Sequence, residues 1–203
     1  MKRTLQGNIC RGICALLVLM LISGTTFAQK RNGRGARPAF DKGDNTIGVF
    51  LGLGVDYDYY GSVSRIPAIG VTYDHGIVSN VGPGTIGIGG VLAYKAAQYK
   101  YNNGYKATWT DFIVGVRGTY HLTILKDKNN KFDPYAGVTV GFRVSNYTDT
   151  YYDYMGRSYS ASSVNPVVGA FIGAKYNFVP NFGAFAELGY DISFLRLGVN
   201  FNF

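Results

Sequence analysis

The stretch FLRLGVNFNF, residues 194–203, decides the fold. Leu195, Leu197, Val199, Phe201 and Phe203 share one parity, and Arg196, Gly198, Asn200 and Asn202 share the other. Successive side chains of a strand point to opposite faces, so this alternation predicts a β-strand with one apolar and one polar side. The same period recurs upstream. Ile47, Val49, Leu51, Leu53 and Val55 alternate with Gly48, Phe50, Gly52, Gly54 and Asp56. Ile69, Val71 and Tyr73 oppose Gly70, Thr72 and Asp74, while Ile86, Ile88, Leu92 and Tyr94 oppose Gly87, Gly89, Ala93 and Lys95. Phe112, Val114, Val116 and Tyr120 oppose Asp111, Gly115, Arg117 and Thr119. Ala136, Val138, Val140, Phe142 and Val144 oppose Gly137, Thr139, Gly141, Arg143 and Ser145. Val168, Ala170, Ile172, Ala174 and Tyr176 oppose Gly169, Phe171, Gly173 and Lys175, and Phe182, Ala184, Ala186, Leu188 and Tyr190 oppose Phe185, Glu187 and two glycines. These segments make eight strands, with no 3.6-residue stripe between them.

Eight alternating strands can close as a soluble barrel or as a membrane barrel. A polar face turned to water would be rich in Lys and Glu, whereas here Gly predominates and suits a narrow lumen. The apolar face carries Tyr toward its ends, as lipid between aromatic girdles requires. The reading is therefore all-β: an eight-stranded, antiparallel, up-and-down transmembrane β-barrel over residues 46–203. Composition agrees. The 203 residues include 28 Gly, 17 Tyr, 13 Phe and one Trp, and the charged fraction is 16% against ~25% in ordinary soluble domains. A mean hydropathy of +0.02 is the average of two opposite faces and is far too low for a helical membrane protein.

The first 28 residues read as a cleaved signal peptide: Lys2, Arg3 and Arg11 are basic, Ile13–Ile22 is apolar, and Thr26-Phe27-Ala28 resembles a cleavage site. Ten apolar residues fall short of the ~20 that a spanning helix needs. Cys10 and Cys14 lie in this segment, so the mature chain has no disulfide, thiolate catalyst or Cys-ligated metal. The formal charge of +8 falls to +5 once the three basic residues of the signal are removed. Residues 29–45 hold five basic and two acidic side chains without apolar periodicity, and are expected to form a flexible basic periplasmic arm. Nucleic acid is not an expected partner of an exported arm.

Turns are expected at Ser79–Gly84, Lys126–Lys131 and Val179–Asn181. Longer loops are expected at Asp58–Arg65, Tyr99–Lys106 and Tyr147–Ser162, with a minimal one at Asp191–Ser193. Gly82-Pro83-Gly84-Thr85-Ile86-Gly87 spells G-x-G-x-x-G but precedes a strand, so it is no dinucleotide loop.

The signal, the eight amphipathic strands and the terminal Phe resemble the small outer-membrane β-barrel family of Gram-negative bacteria, the OmpX/opacity-like group. Arg196, Gly198, Phe201 and Phe203 match that family's C-terminal signal for the barrel assembly machinery, and residues 185–190 (FAELGY) look like its penultimate strand. With nothing after Phe203, the relatives carrying a peptidoglycan-binding domain are not expected. The resemblance implies a bacterial outer-membrane location. It also implies contact with outer-membrane lipid, lipopolysaccharide and the assembly machinery, and a host or cell-surface ligand as partner class. Its functions are diverse: adhesion, envelope integrity, or porin-like passage of small solutes.

By parity the lumen should hold Asp56, Asp74, Lys95, Asp111, Arg117, Arg143, Lys175, Glu187 and Arg196. Buried charges must pair, so a salt-bridge plug with Glu187 on one or more arginines is expected in preference to a narrow channel. Tyr59, Tyr60, Tyr101, Tyr105, Tyr151, Tyr152, Tyr154 and Tyr159 fall in the long loops and are the expected recognition surface, because Tyr gives large contact area at low entropic cost. The chain is not expected to be an enzyme. Some barrels of the family modify lipid A, one type with His and Ser two residues apart, but here His121 is followed by Thr123 and His75 has no such Ser. No cofactor, metal or catalytic residue is assigned.

Overall fold

The computed structural model describes residues 39–54, 63–100, 105–123, 131–150 and 159–203. The strands are β1 (Asn45–Leu53), β2 (Val63–Val81), β3 (Gly84–Lys100), β4 (Lys106–Leu122), β5 (Phe132–Asp149), β6 (Tyr159–Val179), β7 (Phe182–Gly189) and β8 (Leu195–Asn202). Each pairs antiparallel with its sequence neighbours. β1 closes the ring on β8, from Thr46 opposite Asn202 to Leu53 opposite Leu195. Closure leaves no edge within the ring and satisfies its backbone internally.

The parity read from the sequence sets the two faces. Val49, Leu51, Val116, Val140, Phe142, Ile172, Leu197 and Phe201 point outward and are each 48–61% exposed. An apolar side chain left in water forgoes ~1.5–3 kcal/mol. These eight, with Val138, Val168 and Leu188 beside them, would outweigh the ~5–15 kcal/mol of net stability of a typical domain. The exterior is therefore built for an apolar solvent. Tyrosines rim it: the Tyr73 hydroxyl donates to Asn45 Oδ1 at 2.8 Å, and that of Tyr120 to the Val81 carbonyl at 2.8 Å.

Inside, glycine does not act alone. Phe50, Phe171, Phe185 and Tyr135 point inward and are at most 5% exposed, and the glycines give these rings floor space. A Cβ on Gly198 would lie 2.6 Å from the Phe185 ring, and one on Gly48 2.8 Å from it, so both positions must stay bare for the ring to seat.

The strands differ in length. β1, β7 and β8 have 9, 8 and 8 residues, close to the ~9–11 that cross a bilayer. β2 to β6 have 17–21. At ~3.4 Å per residue and ~40° tilt, the 21 residues of β6 reach ~55 Å, about twice the ~25 Å apolar band of such barrels. The extra length lies at the loop end. β7 pairs with β6 only as far as Phe171 opposite Gly189, whereas β5 pairs with β6 on to Asp149 opposite Tyr159. This corrects the expected Tyr147–Ser162 loop, of which residues 147–149 and 159–162 are ladder. The segment reads as loop in the sequence because a strand standing clear of the membrane meets water on both faces and loses its alternation. For the same reason Tyr99, Lys100 and Lys106 of the expected Tyr99–Lys106 loop are ladder. The first turn closes at Val81 opposite Gly84, with Gly82 at φ +58°, not at Ser79. Gly82–Gly87 thus spans a hairpin and the start of β3.

Residues 39–44 precede β1 and pack against the barrel. Gly43 N–H donates to the Gly76 carbonyl at 2.8 Å and Gly76 N–H to that of Asp44 at 3.0 Å, while Phe40 is 2% exposed. The last part of the expected flexible arm is therefore held.

Candidate functional site

Six inward charged residues form one chain of alternating charge. Lys175 Nζ lies 3.5 Å from Asp74 Oδ2, and Asp74 Oδ1 is 3.1 Å from Arg117 Nε. Arg117 Nη2 donates to Glu187 Oε1 at 2.6 Å, and Arg196 Nε pairs with Glu187 Oε2 at 2.7 Å. Arg196 Nη1 then donates to Asp191 Oδ1 at 2.8 Å, and the Thr139 hydroxyl to Asp191 Oδ2 at 2.7 Å. The Tyr135 hydroxyl adds a donor to Glu187 Oε1 at 2.7 Å. Phe171 sits between the two guanidiniums, 4.4 Å from Arg117 and 5.1 Å from Arg196. Every charge in this chain touches an opposite one, which is what makes burial of ions tolerable. Beside it, the gap bounded by Thr46, Thr72, Asp74, Lys175 and Asn200 has a cavity volume of about 0 Å³.

The end of the lumen nearest the short turns is capped. His121 Nδ1 lies 2.8 Å from Asp133 Oδ2, its Nε2 lies 3.1 Å from the Thr119 hydroxyl, and the ring stacks on Phe40 at 3.8 Å and on Tyr135 at 5.0 Å. A hydroxyl, an imidazole and a carboxylate in this order resemble a nucleophile relay, with the hydroxyl two residues before the histidine. No substrate reaches it here, since His121 is 0%, Thr119 3% and Asp133 3% exposed, and Phe40 covers the ring. The geometry suits a satisfied hydrogen-bond chain. An amide cluster lies alongside: Asn200 and Asn202 donate to Asn177 Oδ1 at 3.1 and 3.0 Å, and the Thr46 hydroxyl donates to Asn202 Oδ1 at 2.9 Å.

The loop end is looser. Asp111 is shared by Lys95 Nζ at 3.6 Å and Arg143 Nε at 4.0 Å. These residues stand beside an open recess of about 250 Å³ bounded by β6 at Asn165–Val168 and by the β7–β8 connection.

Of the nine expected lumen charges, eight thus lie inside the barrel: one group through Asp74, Arg117, Lys175, Glu187 and Arg196, another through Lys95, Asp111 and Arg143. Asp56 lies outside the described residues. Asp133, Asp191, His121, Tyr135 and Asn177 were missed. Asp133 and Tyr135 share the inward parity of Thr139, which could have found them. Asp191 could not be found so, because it sits in a connection without periodicity. In the C-terminal signal, Arg196 is fully buried in the network, Gly198 underlies Phe185, and Phe201 is 51% exposed outward. Of the tyrosines, Tyr59, Tyr60, Tyr101, Tyr151, Tyr152 and Tyr154 lie outside the described residues. Tyr105 immediately precedes β4, and Tyr159 is a β6 residue, 54% exposed, whose ring meets Tyr147 edge-on at 6.1 Å. Tyr159 is therefore strand, not mid-loop. Among the described residues, no group of three or more His, Cys, Asp or Glu could hold a metal.

An apolar exterior, a charged and paired interior, and up-and-down closure together define the transmembrane β-barrel class. The chain has the fold of the small eight-stranded outer-membrane barrels. It is similar to Ail, the attachment invasion locus protein of Yersinia pestis, with a TM-score of 0.54 and 16% identity over 80% of this chain and 99% of that one. It is likewise similar to the outer-membrane protein OprG of Pseudomonas aeruginosa, with a TM-score of 0.55 and 14% identity over 82% of this chain and 99% of that one. No family model and no curated protein sequence matches the chain.

Proposed function

We propose that this protein is a non-enzymatic barrel of the bacterial outer membrane, exported by a signal cleaved after Ala28. In this reading its lumen is a structural plug and its loop-end wall is a recognition surface. The observation that carries the reading is the inequality of the strands. β2 to β6 stand about twice as long as membrane crossing requires, and such length costs chain order that a purely structural barrel does not need. The wall also has a free edge. Ala170 C=O accepts from Tyr190 N–H at 3.0 Å, on the β7 side, and Asn177 N–H donates to Lys131 C=O at 2.8 Å, on the β5 side. Along the unshifted β5–β6 register, the even residues from Ser160 to Val168 therefore turn their backbone groups toward the β7 side. Among the described residues no strand pairs with them there. Pro166 falls on this parity, so its missing N–H costs the ladder nothing. Such an edge accepts an extended segment of a partner. Lipid and lipopolysaccharide would surround the apolar belt, and the assembly machinery would read Arg196, Gly198, Phe201 and Phe203.

The test uses refolded barrel in lipid bilayers and on intact cells. Heat-modifiable gel mobility, no stable single-channel conductance and surface binding lost on deleting residues 151–158 are expected. Stable conductance would overturn the plug, and binding unchanged by the deletion would overturn recognition through the wall.

A further inference from the structure

The segment before β1 separates its charges. Residues 29–45 hold five basic and two acidic side chains, and both acids, Asp41 and Asp44, fall in the part seated on the barrel. There the carboxylates serve the backbone: Asp44 Oδ2 accepts from Asp41 N–H at 2.9 Å, and Asp41 Oδ1 from Lys42 N–H at 2.8 Å. The seat is specific. Phe40 is buried against the His121 ring, and a Cβ on Gly76 would collide with the Asp41 carbonyl, so β2 is bare where the segment crosses it. Upstream of Phe40 come Lys30, Arg31, Arg34 and Arg37, and residues 29–39 include no acid. Four cations thus stand in a stretch with no carboxylate of its own.

The seat also sets their height. Asn45, the first residue after it, accepts the hydroxyl of Tyr73, an outward tyrosine of the turn-end rim that is 41% exposed. Tyrosines of such a girdle sit at the level of the lipid headgroups. A ring of eight strands ~4.8 Å apart and tilted ~40° is ~16 Å across. Extended chain spans ~3.4 Å per residue, so Arg37 can reach ~10 Å from Phe40 and Lys30 ~34 Å, which carries the cations to the rim and past it. Lys42 is exposed on the seated part, and the β4–β5 connection at the same end has Lys126, Lys128 and Lys131 against Asp127 alone. An anionic headgroup surface attracts a juxtamembrane basic segment by summed charge and needs no pocket to do so.

We infer that Lys30, Arg31, Arg34 and Arg37 form an electrostatic anchor that binds anionic phospholipid headgroups of the leaflet at the turn end. The anchor does not depend on what the wall recognises. It does rest on cleavage after Ala28, which the mass of the exported protein reads separately. Chain 29–203 has no Cys, so Gly33→Cys takes a single nitroxide label. The labelled protein is refolded into lipid nanodiscs of phosphatidylcholine alone or with about a third phosphatidylglycerol. Electron spin resonance should show an immobilised-to-mobile ratio at least about tenfold higher in the anionic discs. The excess should vanish as the screening length falls from ~10 Å at 0.1 M salt to ~3 Å at 1 M. Lys30→Gln, Arg31→Gln, Arg34→Gln and Arg37→Gln should each lower the ratio about twofold to fivefold, and together return it to the phosphatidylcholine value. Equal immobilisation in the two discs would overturn the anchor, as would a salt-independent signal or one that survives the fourfold replacement. Stronger immobilisation by soluble polyglutamate in zwitterionic discs than by the anionic lipid would overturn lipid as the partner.

Discussion

The two ends of one lumen are built on different terms. Toward the turns, Phe40, His121, Tyr135 and the Asn177–Asn200–Asn202 cluster fill the interior, and the polar groups there meet partners within about 3 Å. Toward the loops, Lys95, Asp111 and Arg143 meet at 3.6 and 4.0 Å beside an open recess. The same residue types are thus close-packed filling at one end and stand around a recess at the other, where Arg143 is part-exposed. Among the described residues the difference lies in what packs beside them: rings and an N-terminal segment below, an open recess above. Stability should therefore be concentrated in the sealed part, and responsiveness to solutes in the open one.

The largest expected effect comes from the central network. Glu187→Ala leaves Arg117 with Asp74 alone and Arg196 with Asp191 alone, so the chain carries one uncompensated buried positive charge, at a cost of ~3–5 kcal/mol. Arg143→Gln, at a part-exposed and long ion pair, should cost no more than ~1 kcal/mol. Urea unfolding of the refolded barrels in lipid vesicles measures both, and equal losses would erase the distinction between the ends. Next is the cap. Phe40→Ala should lose ~1.5–3 kcal/mol and speed amide exchange around His121 while leaving Arg143 unchanged. Uniform acceleration across the barrel would mean that Phe40 is not a local seal.

Gly198→Val tests how tightly the interior is filled. Its Cβ would collide with Phe185, and overpacking of this kind costs ~1–3 kcal/mol. Because Gly198 also falls in the assembly signal, refolding without assembly machinery separates the two roles. Normal stability in vitro would leave only the signalling role. The smallest effect lies on the free edge of the wall. Ser162→Pro, whose N–H faces away from β5, should change stability by less than ~0.5 kcal/mol. Ala161→Pro removes a ladder hydrogen bond worth ~0.5–1.5 kcal/mol. Circular-dichroism melting that ranks them in reverse would show the edge assigned to the wrong parity.

Alternation is a local property, so the strands, their faces and most of the lumen charges could be read from the chain. Glu187 between arginines followed from counting charges on one parity. The upper halves of β5 and β6 were not legible, because Ser, Thr, Asn and Tyr on both parities read as loop wherever no membrane imposes a pattern. Asp191 and Phe40 escaped for a related reason. Each lies outside a strand, and its burial depends on residues far away in sequence.

The sequence by itself determined that this chain alternates, closes and turns its apolar side outward, because a two-residue period and a lipid solvent leave no other arrangement. Only the tertiary structure decided which charges meet, which end of the lumen is sealed and how far the wall rises. Those outcomes depend on strand register and on long-range contacts such as Arg117 with Glu187, 70 residues apart, and periodicity carries no record of register.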